Sequence, residues 1–352
     1  MQFPGQAKPA VGIVYDTAID NRIEDVLALA LLYGLDGKNE ARVVSISVAN
    51  SSLQAAQFCD AVSRFYAGEV NSGFGGAGRT LPLGLADFSK VSTISPMITA
   101  PLAKKTADGK PVYPTVIEKL NDTAEVPALI RNAFTAQYDG NCIVVLTGPA
   151  TDAVKVLDVF GAKQDIVQKV RYLVWAGGAF PDGKPEFNVE TDIPAARRLF
   201  AEWPTPIVCV GSEVGEGLPY PGSSIESDFT WTQNHPIVDA YRAFKPMPYD
   251  APTSPLAALL YAVRIKENYF KLSDPGTISV LDDGRTKLTP SEQGKQRYLI
   301  LDPAQKDRII KAYVELVSAK PAPPKPRFRR PRNVVPPSPP QQPEAKPKPP
   351  VG

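Results

Sequence analysis

The chain has 352 residues, 43% of them hydrophobic and 22% charged, an ordinary balance for a soluble globular protein with ample material for a core. Its formal net charge of +2 is unevenly spread: residues 321–352 carry seven Lys or Arg against the single acid Glu344, about +6, which leaves about −4 for the rest. The body has no basic patch with interleaved aromatics, which argues against nucleic-acid binding, and no run of 18 or more apolar residues, which argues against a transmembrane helix.

Residues 1–10 (MQFPGQAKPA) form a lead without the apolar segment of a signal peptide, so a cytoplasmic location is the default and a processed secreted form stays open. A short apolar run, Val11 to Tyr15, then ends at Asp16. An acidic loop follows, and Glu24-Asp25 open a run apolar enough for a buried helix. In open α/β sheets this junction, at the carboxyl end of a strand, is where ligands bind. Asp16, Asp20, Glu24 and Asp25 fall within ten positions there: either they hold a hard cation or they form a solvated acidic turn.

Arg42 to Ala49 is a second strand pattern, ending at Asn50-Ser51-Ser52, which can cap a helix over Leu53 to Ala67. Residues 68–114 read as irregular. The run Gly73 to Gly78 lacks the Lys-Ser/Thr of a P-loop and the strand of a dinucleotide fingerprint, and reads as a loop. Helical periodicity returns over Val126 to Tyr138. Cys142 to Leu146 is a buried strand running into TGPATD, with a helix over Ala153 to Phe160. Tyr172 to Trp175, the Gly177-Gly178 turn, a helix over Ile193 to Glu202 and a strand over Pro206 to Val210 repeat the unit. This alternation predicts an open, mostly parallel central sheet flanked by helices, with Asp16, Asn50, Thr147, Gly177 and Gly211 along one edge.

Residues Ser224 to Arg264 read as largely helical, Thr277 to Leu288 as a hairpin turning at Asp283-Gly284, and Pro303 to Ser318 as a final helix. The domain is thus read over 11–318. Residues 319–352 form a basic proline-rich tail, which reads as disordered or polyproline-like. Its PxxP spacings suit an SH3-type partner, but such spacing is unavoidable in proline-rich sequence and a solvated linker explains it as well. Cys59, Cys142 and Cys209 lack metal-site spacing and read as buried reduced thiols.

The segment DTAIDNRIEDVLAL resembles the signature of the inosine-uridine preferring nucleoside hydrolase family, approximately DSDMGNDIDDALAL. VANSS, LTGPATDAV (similar to TGPLTNLA) and GGAFPDGKPEFNVETDIPAA (similar to MGG…EFN…D..AA) follow in family order. The resemblance implies a Rossmann-like α/β fold, often as a homo-oligomer, and a glycosidase that hydrolyses the N-glycosidic bond of ribonucleosides. It implies a Ca²⁺ ion held by aspartates and a threonine carbonyl, and an aspartate that takes a proton from the attacking water.

Carried over by position, the resemblance makes Asp16, Asp25 and the Thr147 carbonyl metal ligands. Asn50, Glu186 and Asn188 become ribose-binding residues, and Glu24 with Asp25 the acidic pair in which Glu24 stands for the base. Two ligand positions depart. The signature's second aspartate is Ala18, and the aspartate of a segment resembling PYDAPTWDLTAVLYAV is Pro255. Two lost anionic ligands abolish tight Ca²⁺ binding unless Asp20, Glu24 or Asp250 substitutes, and Asp20 is the nearest candidate. His235, the sole histidine, lies twenty residues before Pro255 and reads as a cap or core residue. Three hypotheses follow: a hydrolase with a rearranged ligand set and impaired activity; an inactive homologue that binds a nucleoside, a sugar or a protein; and an unrelated α/β sugar-binding protein.

Overall fold

The computed structural model describes residues 10–19, 22–50, 52–67, 81–86, 94–181 and 183–322. The Gly73 to Gly78 run, Asp20 and the proline-rich residues from 323 onward lie outside them.

Ten strands are described: β1 (Val11–Thr17), β2 (Ala41–Val48), β3 (Leu83–Leu85), β4 (Cys142–Leu146), β5 (Val170–Ala176), β6 (Ile207–Val210), β7 (Phe270–Leu272), β8 (Gly276–Val280), β9 (Thr286–Pro290) and β10 (Gln296–Leu301). They form one sheet in the order β3-β2-β1-β4-β5-β6-β10-β8-β9, with β7 paired to β10. From β3 through β6 to β10 every pairing is parallel, and β7, β8 and β9 add an antiparallel margin. The expected mostly parallel α/β sheet is therefore present. Because β1 and β4 are covered on both faces, their residues alternate between two cores. Ile13, Tyr15, Ile143 and Val145 face one; Val14, Cys142, Val144 and Leu146 face the other.

The helix Ile23–Gly37 is buried from Val26 to Leu35, so it lies inside the molecule rather than on its surface. It packs on helices Ser254–Val263 and Lys306–Val317. A Cβ on Gly34 would stand 2.2 Å from the backbone oxygen of Leu316, so glycine permits this close approach. That packing fixes the first turn, which carries Glu24 and Asp25.

Several elements differ from the sequence reading. The region 68–114, read as irregular, contains β3 and a helix over Pro96–Ala103, whose prolines at its start and interior hide the helical pattern. The helix read over Ala153 to Phe160 stops at Val156. Gly161, at φ 80°, then precedes a second helix over Ala162–Lys169. Between Ser224 and Arg264 the chain is broken into Gly222–Ser227, Pro236–Phe244 and Ser254–Val263, each of the last two starting near a proline. The final helix begins at Lys306, after a short 3₁₀ turn. The hairpin is as read: β8 and β9 turn through Gly284 at φ 80°. The strand β10, inserted beside β6, has no pattern that its polar start at Gln296 would reveal.

All three cysteines are buried free thiols. Among the described residues no helix is long and apolar enough to cross a membrane. His235 caps the helix Pro236–Phe244, its Nδ1 accepting from the amide of Ile237 at 3.2 Å. Phe65, Phe229 and Trp231 surround its ring edge to face, with centroids 4.7, 4.7 and 5.3 Å away.

Two predictions test this packing. A Gly→Ala change in an open helix stabilises by up to about 1 kcal/mol. Gly34→Ala is instead expected to lower the unfolding free energy by about 1–3 kcal/mol in urea titration, because the methyl overpacks against Leu316. A gain in stability would show that the two helices part without cost. The second concerns pH. Burial pushes the His235 imidazole down to about 3, so the folded chain refuses a proton that the unfolded chain accepts near 6.5. Stability is therefore lost as pH falls below 6.5. From pH 7 to 5 the loss from this group is about 2 kcal/mol. His235→Asn keeps a cap acceptor and removes the titration, so its stability deficit against wild type should shrink by that amount; a deficit that stays constant contradicts a buried neutral imidazole.

Candidate functional site

The carboxyl ends of β1, β4 and β5 are stitched together at the sheet edge. The amide of Thr147, just past β4, donates to the Asp16 carbonyl at 2.8 Å. Asn188, fully buried, donates from Nδ2 to the carbonyls of Ala176 at 2.7 Å and Thr147 at 3.1 Å, bridging the ends of β5 and β4. Glu186 precedes it and caps the short helix Phe187–Thr191. Its Oε2 accepts from the amides of Gly178 (3.0 Å), Asn188 (3.1 Å) and Val189 (3.3 Å). Burial raises the Glu186 pKa, while those amides and Arg22 oppose the rise.

Arg22 stands at the centre of this arrangement. Its Nη2 donates to the Thr147 carbonyl at 2.8 Å and to Asn188 Oδ1 at 3.3 Å. Nε lies 3.6 Å from Asp25 Oδ2 and 3.8 Å from Glu24 Oε1, and Nη1 lies 3.9 Å from Glu186 Oε1. The guanidinium also covers the Phe187 ring, 5.4 Å from its centroid. Burial lowers the Arg22 pKa, but Asp25, Glu24 and Glu186 outweigh it and hold the group charged. Glu24, with 12% of its side chain exposed, is pushed up to about 7 by burial against the pull of Arg22.

The sequence-predicted residues divide accordingly. Asp25, Thr147, Glu186, Asn188 and Glu24 converge on Arg22. Asp16 lies one residue before the end of β1 and takes the hydroxyl of Ser47 on Oδ1; burial and the neighbouring Asp152 drive its carboxyl well above the usual range. Asn50 accepts from the amide of Ser52 on Oδ1 at 3.0 Å, and its Nδ2 is buried without a hydrogen-bond partner. Asp250 accepts from the amide of Gly222 at 2.8 Å. Asp20 lies outside the described residues. Ala18 packs on Gly148, where a Cβ would meet its methyl at 3.1 Å.

These described donors do not fit a Ca²⁺ ion. The Thr147 carbonyl spends its two lone pairs on Arg22 and Asn188. Ala18 and Pro255 present no side-chain oxygen, and a guanidinium stands beside Asp25. Among the described residues no three His, Cys, Asp or Glu side chains are grouped to hold a metal.

Beside Arg22 a cavity of about 230 Å³ opens between Glu24, Glu186, Phe187, Ser212 and Pro255. The Ser212 hydroxyl is buried without a hydrogen-bond partner, and Phe187 is 53% exposed. Sequence reasoning missed Arg22. The signal was present, since Arg22 is the one base in the acidic loop and faces an aspartate when DTAIDNRIEDVLAL is laid on DSDMGNDIDDALAL.

The model of the family described as inosine-uridine preferring nucleoside hydrolase matches residues 13–311. No curated protein matches the chain by sequence. Among solved structures, a purine-preferring ribonucleoside hydrolase from Gardnerella vaginalis superposes with a TM-score of 0.63 at 17% identity, over 87% of this chain and 98% of that one. The inosine-uridine preferring nucleoside hydrolase from Bacillus anthracis gives 0.57 at 17% identity, over 88% and 99%. The type III effector XopQ, solved with adenosine diphosphate ribose, gives 0.61 at 13% identity, over 89% and 94%. These likenesses establish the fold, and the family match over most of the length establishes descent: the chain belongs to the inosine-uridine preferring nucleoside hydrolase family.

Proposed function

We propose that the chain holds a ribosyl group in the cavity beside Arg22 and Glu186 without a metal ion, and that Ca²⁺-assisted hydrolysis is not its activity. Membership of the family supports a nucleoside hydrolase-like function, chemistry directed at N-glycosyl compounds. The observation that carries the finer reading is the hydrogen bond from Arg22 to the Thr147 carbonyl. It takes an oxygen that the family resemblance assigns to the cation.

What remains around the cavity suits sugar hydroxyls. Glu186 has its Oε1 clear of the three amides that hold Oε2. Ser212 offers a buried hydroxyl, and Phe187 offers an apolar wall for a furanose or base ring. The adenosine diphosphate ribose named with XopQ is a ribosyl compound, which agrees with this choice of ligand.

Glu24 favours a second reading, slow hydrolysis without metal. A carboxyl near 7 on the cavity wall suits a general base that takes a proton from water as its oxygen bonds to the anomeric carbon, while the base departs with the electrons of the broken C–N bond. One experiment separates the readings: calorimetric titration of the EDTA-treated chain with inosine, alongside p-nitrophenyl riboside turnover with and without Ca²⁺. The expected result is saturable binding in EDTA, unchanged by Ca²⁺ and weakened about tenfold or more by Glu186→Gln, with no turnover. Turnover that resists EDTA and disappears in Glu24→Gln supports the second reading. Turnover that requires Ca²⁺ overturns both.

A further inference from the structure

We propose that Arg22 is the resident cation of this junction, its guanidinium supplying from the chain itself the positive charge around which Asp25, Glu24 and Glu186 are assembled. The proposal extends the metal-free reading above, but its test uses no ribosyl ligand, so a failure to bind ribosides leaves it standing.

Burial sets the requirement for a counter-charge. The Asp25 side chain is 0% exposed, that of Glu186 9% and that of Glu24 12%. Placing carboxylates out of water without a compensating charge costs several kcal/mol each. Arg22 brings that charge within 3.6–3.9 Å of all three. Those separations are ion-pair distances, too long for direct hydrogen bonds, so the guanidinium acts on the carboxylates as a central charge. Its direct hydrogen bonds go to neutral oxygens, the Thr147 carbonyl and Asn188 Oδ1.

The shape of the group matters as much as the charge. A planar guanidinium presents five N–H donors in a fixed fork and is always protonated, so one side chain can face the end of β4, the start of the helix Ile23–Gly37 and the Glu186 turn at once. A lysine ammonium reaches one point. A divalent ion would offer exchangeable water; the guanidinium offers none. Arg22 also lines the cavity, so whatever enters meets a charge that cannot be removed by a chelator.

The test uses the full chain, with melting temperature and Ca²⁺ calorimetry as readouts. Wild type should give no saturable Ca²⁺ heat and the same melting temperature in EDTA as in millimolar Ca²⁺. Arg22→Ala should melt lower by on the order of 5 °C or more. Millimolar methylguanidinium should restore part of that loss where the neutral isostere methylurea does not. Adding Asp25→Asn to Arg22→Ala should also recover stability, because it removes one of the buried negative charges that Arg22 faces. Where Arg22→Ala does not fold, Arg22→Lys serves, with an intermediate melting temperature indifferent to Ca²⁺. Saturable Ca²⁺ binding by the wild type, an Arg22→Ala or Arg22→Lys melting temperature equal to wild type, or equal effects of methylguanidinium and methylurea would each overturn the proposal.

Discussion

Three carboxylates drawn out of water around a single guanidinium are the constraint on which the sheet edge depends. Asp25 comes from the first turn of a buried helix, Glu186 from a cap after β5, and Arg22 from the loop after β1. None of these groups could be buried alone at tolerable cost. Together they tie the ends of β1, β4 and β5 to one point, with Asn188 and Thr147 as neutral connectors. The cavity exists because this cluster leaves its outer side to Phe187, Ser212 and Pro255.

The fold delivers these residues by ordinary means. A parallel sheet places every βα loop on one edge, and covering both faces makes β4 apolar throughout and β1 apolar until it reaches Asp16 and Thr17. The helix Ile23–Gly37, whose first turn carries Asp25, is held so close to the C-terminal helix that a Cβ on Gly34 would stand 2.2 Å from the Leu316 backbone oxygen. The relatives that superpose on this frame share 13–17% of their residues with it. The frame therefore tolerates wide change in sequence.

Much of the frame was legible in the sequence because its signals are local. Val11 to Tyr15 and Cys142 to Leu146 are apolar runs bounded by polar loops, and Asp283-Gly284 is a turn that glycine makes possible. The helices over Pro96–Ala103 and Ala162–Lys169 were not legible, since proline in one and a polar face in the other blur their period. The site was legible in parts. Glu186, Asn188, Thr147 and Asp25 stood in recognisable motifs and do converge. Arg22 was overlooked because a lone base in an acidic loop looks like a surface charge until folding brings Thr147, 125 positions away, onto it. Long-range contact of this kind leaves no trace in periodicity or composition.

The central claim is that a side chain, and not a metal, occupies the middle of this junction. A crystal structure of the full chain grown in Ca²⁺ and soaked with D-ribose tests it most directly. The account predicts the Arg22 guanidinium between the Thr147 carbonyl and Asp25, no ion there, and ribose in the cavity against Glu186 and Phe187. An ion coordinated by the Thr147 carbonyl and Asp25, with Arg22 swung out to solvent, would contradict it.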